Sequence, residues 1–188
     1  MQNAPTLDIQ GPIATLCLQR PASANKITPH DLGVLRQHVD TVNQTESVLL
    51  LVLRSTGKHF CAGYDIAEVS GSQTEGQGFG EMVDAVENCR AVTLAVVQGG
   101  VYGGATDLVL ACDLRMGLQG IEWRMPATAL GLHFYPSGLR RYMSQFGTAA
   151  TQRAFLTARP LRDEQLQALG LFEGFYPASQ WDRSEEHT

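Results

Sequence analysis

A chain of 188 residues is within the size that a single hydrophobic core can serve. Hydrophobic residues make up 44% and charged residues 18%, so the chain has enough apolar side chain to fold and nothing in its composition marks disorder. With 14 Lys and Arg against 19 Asp and Glu, the net charge of -5 argues against nucleic acid as a partner.

In chain order, strand-like runs over 6–10 and 13–19 flank Gly11-Pro12 and predict an opening hairpin. A turn over 21–24 follows. Thr28-Pro29-His30-Asp31 reads as a helix start, with Thr28 as cap, Pro29 at the first position and Asp31 complementing the dipole. Leu32, Leu35, Val39 and Val42 then recur at helical spacing. The run over 47–54 is apolar almost to its end, which suits a strand covered on both faces.

The segment 55–65 is a loop with two glycines, and 70–80, rich in Gly, Ser, Gln and Thr, predicts a mobile loop. Phe79, Met82, Val83 and Val86 mark a helix, and 92–97 is a second buried strand ending at Gly99-Gly100. A helix over 105–112, a short strand over 114–117, an extended segment over 123–126 and helices over 137–146, 149–157 and 163–169 complete the map. Strands alternating with helices predict an α/β domain with crossover connections over 1–177, followed by a polar tail over 178–188. No repeat is visible at the residue level.

Cys17, Cys61, Cys89 and Cys112 are scattered, with no close pair that would form half of a metal site; they read as small buried apolar residues of a reducing, cytoplasmic compartment. No metal and no membrane contact are expected, because the apolar runs are too short to cross a bilayer.

Two segments carry a family resemblance. Gly57-Lys58-His59-Phe60-Cys61-Ala62-Gly63-Tyr64-Asp65-Ile66 resembles the first crotonase (enoyl-CoA hydratase/isomerase) motif, and Val97-Gln98-Gly99-Gly100-Val101-Tyr102-Gly103-Gly104-Ala105 resembles the second. Asp107 and Ala111-Cys112-Asp113 follow at family spacing, and Asn25-Lys26-Ile27-Thr28 precedes both. Taken alone, either glycine cluster would pass for an ordinary turn, and Gly99 to Gly104 lacks the G-x-G-x-x-G order of a dinucleotide site. The resemblance extends over about residues 10–177 and implies a ββα superhelix of the crotonase type with peripheral C-terminal helices.

It also implies a lyase or isomerase acting on an acyl-CoA thioester through an enolate. The oxygen of that enolate would be held by the backbone N–H groups of Tyr64 and Gly104, with Gly63 and Gly103 allowing close approach. Coenzyme A, present only as part of the substrate and not as a tightly bound cofactor, would lie over the first loop against the backbone of Ala62 and Ile66. Lys26 and Lys58 are implied phosphate contacts, or else solvated surface lysines.

Of the two glutamates that a hydratase of this family uses, the first position falls on Asp107 and the second on Ala127, which cannot transfer a proton. Asp107 is therefore the expected proton carrier, with a dipole-compensating helix acid as the plainer reading. His133 and Tyr135 are candidates to replace the missing acid; the alternatives are a surface or capping histidine and a packed aromatic. Glu122 reads as a solvated charge. Family members continue beyond the Leu169-Gly170-Leu171 region into helices that cover the site, so the resemblance implies either cover from a neighbouring subunit in a homo-oligomer, a trimer or dimer of trimers, or a shortened family member with an open site. The other reading of these departures is a noncatalytic acyl-CoA-binding or assembly protein, or a decarboxylase or hydrolase of the same fold.

Overall fold

The computed structural model describes residues 3–65 and 73–181. The expected hairpin is present: β1 (Thr6–Gln10) and β2 (Ile13–Leu18) pair antiparallel with Gln10 opposite Ile13. Along β2, Ala14, Leu16 and Leu18 point into the core at every second position, as the period of a strand requires.

Helix α1 (Pro29–Gln44) starts where the sequence places it. The Asp31 carboxylate accepts from the Thr28 N–H at 2.8 Å and the Thr28 hydroxyl at 2.9 Å, which satisfies donors that the first turn leaves without a partner. The Arg20 guanidinium donates to the same carboxylate at 2.6 and 3.0 Å. Leu35, Val39 and Val42 form the buried stripe of the helix.

From there the chain repeats one unit: a strand in a large sheet, a strand in a second sheet, then a helix. The units are β3 (Leu50–Ser55), β4 (His59–Cys61) and α2 (Gln73–Glu87), then β5 (Val92–Val97), β6 (Gly100–Tyr102) and α3 (Gly104–Leu110), then β7 (Leu114–Leu118), β8 (Trp123–Arg124) and α4 (Pro136–Thr157), which breaks at Gly147 (φ 71°, ψ 166°) into the two helices expected from the sequence. Helix α5 (Asp163–Ala168), strand β9 (Gly174–Tyr176) and the short α6 (Ala178–Trp181) follow. The large sheet has the order β1-β2-β3-β5-β7-β9 and is parallel apart from β1; the second sheet, β4-β6-β8, is parallel throughout. The expected α/β architecture is thus a stack of ββα turns. Its repeat is one of topology, because apolar patterning rather than residue identity recurs.

Phe60, Val101 and Trp123, one from each strand of the second sheet, are completely buried, and each contributes roughly 1.5–3 kcal/mol through burial. Trp123 packs on Phe146 and Phe172 and donates its indole N–H to the Tyr142 hydroxyl at 3.2 Å. Among the described residues no helix is long and apolar enough to cross a membrane.

The structure departs from the sequence expectation at three places. Helix α2 begins at Gln73, inside the segment expected to be a mobile loop, because packing of Phe79, Met82, Val83 and Val86 outweighs the low helix propensity of its glycines; residues 70–72 lie outside the described part. Strand β3 begins at Leu50, since Val48 closes a turn onto the Thr45 carbonyl and Leu49 bonds the Pro12 carbonyl first. Ala178–Trp181 is helical within the expected tail, and the rest of that tail lies outside the described residues.

Candidate active site

Parallel neighbours end at the same edge of a sheet, so the segments that leave β4, β6 and β8 are brought together. Ala62 and Tyr64 from the first, Gly103 and Gly104 from the second, and Met125, Pro126 and Ala127 from the third line one cavity of about 300 Å³. Phe79 from α2 and Leu130, Leu132, His133, Phe134 and Tyr135 from the approach to α4 complete its wall. Both glycine motifs read from the sequence therefore open onto a shared space.

The first loop is clamped by the segment before α1. Ala62 N–H donates to the Ala24 carbonyl, Ile27 N–H to the Gly63 carbonyl and Asp65 N–H to the Ile27 carbonyl, each at 2.8 Å. Successive peptide groups of an extended chain point to opposite sides, so the Tyr64 N–H is turned away from Ile27. Asn25 fixes this clamp: it takes a left-handed φ of 54°, and its amide donates to the Thr56 and His59 carbonyls at 2.7 and 2.9 Å.

In the second loop Gly103 has φ 55°, donates to the Arg124 carbonyl at 2.9 Å, and accepts from the Thr106 N–H at 3.0 Å and hydroxyl at 2.6 Å. Gly104 opens α3, where an N–H has no carbonyl one turn earlier to bond. The two loops touch at Gly63: its φ is 90°, and a Cβ there would stand 2.7 Å from the Tyr102 carbonyl oxygen and 3.1 Å from the Gly104 nitrogen.

Asp107, on the first turn of α3, is fully buried and does not line the cavity. The Arg141 fork grips both its oxygens, Nε to Oδ1 at 2.9 Å and Nη2 to Oδ2 at 2.7 Å, and the Tyr135 hydroxyl donates to Oδ2. Arg141, itself buried, also reaches Asp84 and Glu87 on α2 at 2.7 and 2.8 Å. Burial opposes its charge, but the hydrogen bonds and charges of Asp107, Asp84 and Glu87 outweigh this and raise its pKa. Burial, then the neighbouring Asp107 carboxylate, push the Tyr135 phenol upward, so it stays protonated. The expected proton carrier thus sits behind the wall, Tyr135 is part of the wall and His133 is at its exposed rim.

On the side expected to meet coenzyme A, Ala62 lines the cavity and Lys26 is half-exposed, with its ammonium 2.5 Å from the Asp65 carboxylate. Lys58 is exposed in the turn between β3 and β4 and does not reach the cavity, and Ile66 lies outside the described residues. Glu122, expected to be solvated, pairs with Arg162 at 2.6 Å. Cys61 and Cys112 are buried as expected, and loss of solvation pushes both thiols up to about 12, but Cys17 and Cys89 are only half-buried.

Three residues that shape the site, Arg141, Asn25 and Phe79, carry no site role in the sequence reading. The periodicity of α4 holds a signal for Arg141, since Gly138, Arg141, Tyr142 and Phe146 fall on one buried helical face. Asp113, which follows the second motif, ties α3 back to the sheet: its carboxylate accepts from the Thr93 N–H and hydroxyl, both at 2.8 Å.

The enoyl-CoA hydratase/isomerase family model matches residues 8–186. The chain is 27% identical over 159 residues to the enoyl-CoA hydratase AKT6-1 of Alternaria alternata, covering 83% of this chain and 53% of that protein. It is 25% identical over 173 residues to the peroxisomal Delta(3,5)-Delta(2,4)-dienoyl-CoA isomerase of Arabidopsis thaliana, covering 83% of this chain and 62% of that one. The chain thus spans between half and two thirds of the length of these relatives. The crystal structure of an enoyl-CoA hydratase of Mycobacterium smegmatis superposes with a TM-score of 0.90 at 23% identity, over 98% of this chain and 74% of that one, which shows a common fold. With the family model spanning nearly the whole chain and the stacked ββα turns matching this solved relative, the chain belongs to the enoyl-CoA hydratase/isomerase (crotonase) family.

Proposed function

We propose that the protein acts on an acyl-CoA thioester and stabilises its enolate through the backbone N–H groups of Tyr64 and Gly104. The observation that carries this reading is the contact of the two loops at Gly63, where only a residue without a side chain lets the Gly104 amide come so near. Donors set in place beforehand cost no reorganisation as charge develops, and each is worth on the order of 3 kcal/mol in the transition state. The apolar lining of the cavity suits an acyl group. His133 is the candidate proton carrier at the rim, because an imidazole can give or take a proton and the Asp107 carboxylate is bound on both oxygens.

In the same reading coenzyme A lies over the first loop, near the Ala62 backbone, with Lys26 and Lys58 toward its phosphates. Leu130 and Leu132, 55% and 42% exposed beside the cavity, favour closure by another copy of the chain in a trimer or dimer of trimers. Light scattering reads this directly, and a monomer at working concentration overturns it.

The buried hold on Asp107 and the alanine at 127 favour a second reading, an acyl-CoA-binding protein without turnover. One experiment separates the two. Butyryl-CoA is incubated with the protein in deuterated water, exchange next to the thioester carbonyl is followed by NMR, and crotonyl-CoA turnover is assayed in parallel. Exchange or turnover supports the enzyme; binding with neither supports the second reading; absence of binding sinks both.

A further inference from the structure

We propose that Tyr135 sets the acyl-group selectivity of the cavity, and that Asp107, fixed by Arg141, is the positioning residue that holds it there. This rests on reading the cavity as an acyl-thioester site. The Tyr135 ring is restrained at three points: its hydroxyl is tied to Asp107, its face stacks on Phe134 with centroids 4.5 Å apart, and Phe79 packs on it at 6.1 Å. Two glycines leave room for it. A Cβ on Gly80 would stand 3.0 Å from Tyr135 Cδ2, and one on Gly138 would stand 2.8 Å from Tyr135 Cε2 and 2.9 Å from Asp107 Oδ2.

The hook cannot swing, because both Asp107 oxygens are held by Arg141 and Arg141 is held in turn by Asp84 and Glu87. A side chain locked by packing and by hydrogen bonds behind it presents a fixed surface, whereas a mobile one would give way to a longer ligand. With its hydroxyl committed to Asp107, Tyr135 offers the cavity a ring. Among the described residues that line the cavity there is no Lys, Arg, Asp or Glu, and His133 stands at the exposed rim, so an acyl group ending in a carboxylate deep in the apolar part would lose hydration without a cation beside it. The acid that follows the second glycine turn has therefore become an anchor, and the class of acyl group favoured is a hydrocarbon of limited length.

The test is calorimetric binding of coenzyme A and of butyryl-, hexanoyl-, octanoyl- and glutaryl-CoA to the wild type, Tyr135→Leu, Tyr135→Phe and Asp107→Asn. For the wild type, glutaryl-CoA should bind on the order of tenfold more weakly than hexanoyl-CoA. Tyr135→Leu should move the tightest-binding acyl chain longer by about two carbons, leaving coenzyme A affinity unchanged. Tyr135→Phe, which keeps the ring and cuts its tether, should flatten the length profile, and Asp107→Asn, which leaves only a neutral acceptor for the hydroxyl, should flatten it less. A purely structural role would weaken all acyl chains equally and keep the profile; that result, or glutaryl-CoA binding as tightly as hexanoyl-CoA, overturns the proposal. If circular dichroism shows that Tyr135→Leu is unfolded, the Tyr135→Phe profile decides between the two roles. Wild-type protein that binds coenzyme A and none of the thioesters overturns the acyl-site reading and this proposal together, whereas thioester binding with an unaltered profile in the variants overturns this proposal alone.

Discussion

Gly63 faces Gly104 so closely that a Cβ on the first would lie 3.1 Å from the amide nitrogen of the second. The same Cβ would meet the Tyr102 carbonyl at 2.7 Å, and the backbone there has φ 90°, where L side chains are strained. Gly63→Ala should therefore push the two loops apart, lowering kcat/KM on any accepted thioester by on the order of 100-fold or more. Steady-state kinetics and far-ultraviolet circular dichroism together check it. A folded variant with full activity would separate the loop contact from catalysis.

Arg141 joins three helices through charge. Replacing it with methionine keeps most of the volume but strands the buried Asp107 carboxylate, and removing one partner of a buried pair costs about 3–5 kcal/mol. Urea unfolding should show that loss for Arg141→Met. It should be partly restored in the double variant with Asp107→Asn, because the neutral amide no longer needs a cation. Additive losses in the two single variants would mean that the pair is not coupled.

How much of the molecule is legible in the sequence depends on the range of the interaction. The Gly11-Pro12 turn and the Thr28 to Asp31 helix start are readable because each is set by residues next to one another, whereas the glycine loops are readable through their resemblance to a family pattern, since the contact at Gly63 joins distant segments. The partners of Asp107 are not, since Arg141 comes from another helix and only the fold brings it there. Asn25 stands within a recognisable motif, but its role as a bracket emerges only when its own turn, which it closes onto Arg20, meets the distant segment that holds Thr56 and His59. The start of α2 escapes a local reading for a different reason: Phe79, Met82, Val83 and Val86 show its helical face in the sequence, but the glycines at 76, 78 and 80 favour a loop and hide where the helix begins.

The Arg20–Asp31 pair makes acid stability predictable. Burial alone would raise the Asp31 pKa, but hydrogen bonds from the Arg20 guanidinium and from the Thr28 N–H and hydroxyl outweigh it and hold the carboxyl of the folded chain below its ordinary value of 3.8. A depressed carboxyl pKa adds stability that is fully present above the unfolded value and is lost as pH falls through the folded one. Unfolding free energy measured from pH 6 downward should therefore fall less steeply below about pH 4 in Asp31→Asn than in the wild type. At neutral pH the variant should be the less stable of the two. Parallel acid limbs for both proteins would show that this carboxylate contributes nothing to acid unfolding.

At the alkaline end the sign reverses, and two buried thiols contribute to it. Cys61 lies in the first glycine motif, with its sulfur 3.0 Å from the Asn25 carbonyl oxygen and 3.3 Å from the Gly63 nitrogen, and Cys112 lies two residues past the end of α3, its sulfur 3.7 Å from the Leu108 carbonyl oxygen. Loss of solvation pushes both up to about 12 in the folded chain, whereas an unfolded cysteine ionises at about 8.5. Above that lower value the unfolded state releases protons that the folded state keeps, so the stability due to each thiol, fully present at neutral pH, declines progressively between about pH 8.5 and 12. Cys61→Ala and Cys112→Ala should each flatten that decline, read from urea midpoints at pH 7 and 10. In the wild type at pH 8, iodoacetamide should label Cys61 and Cys112 only as fast as the protein unfolds. Rapid alkylation of either thiol in the folded protein would contradict their burial.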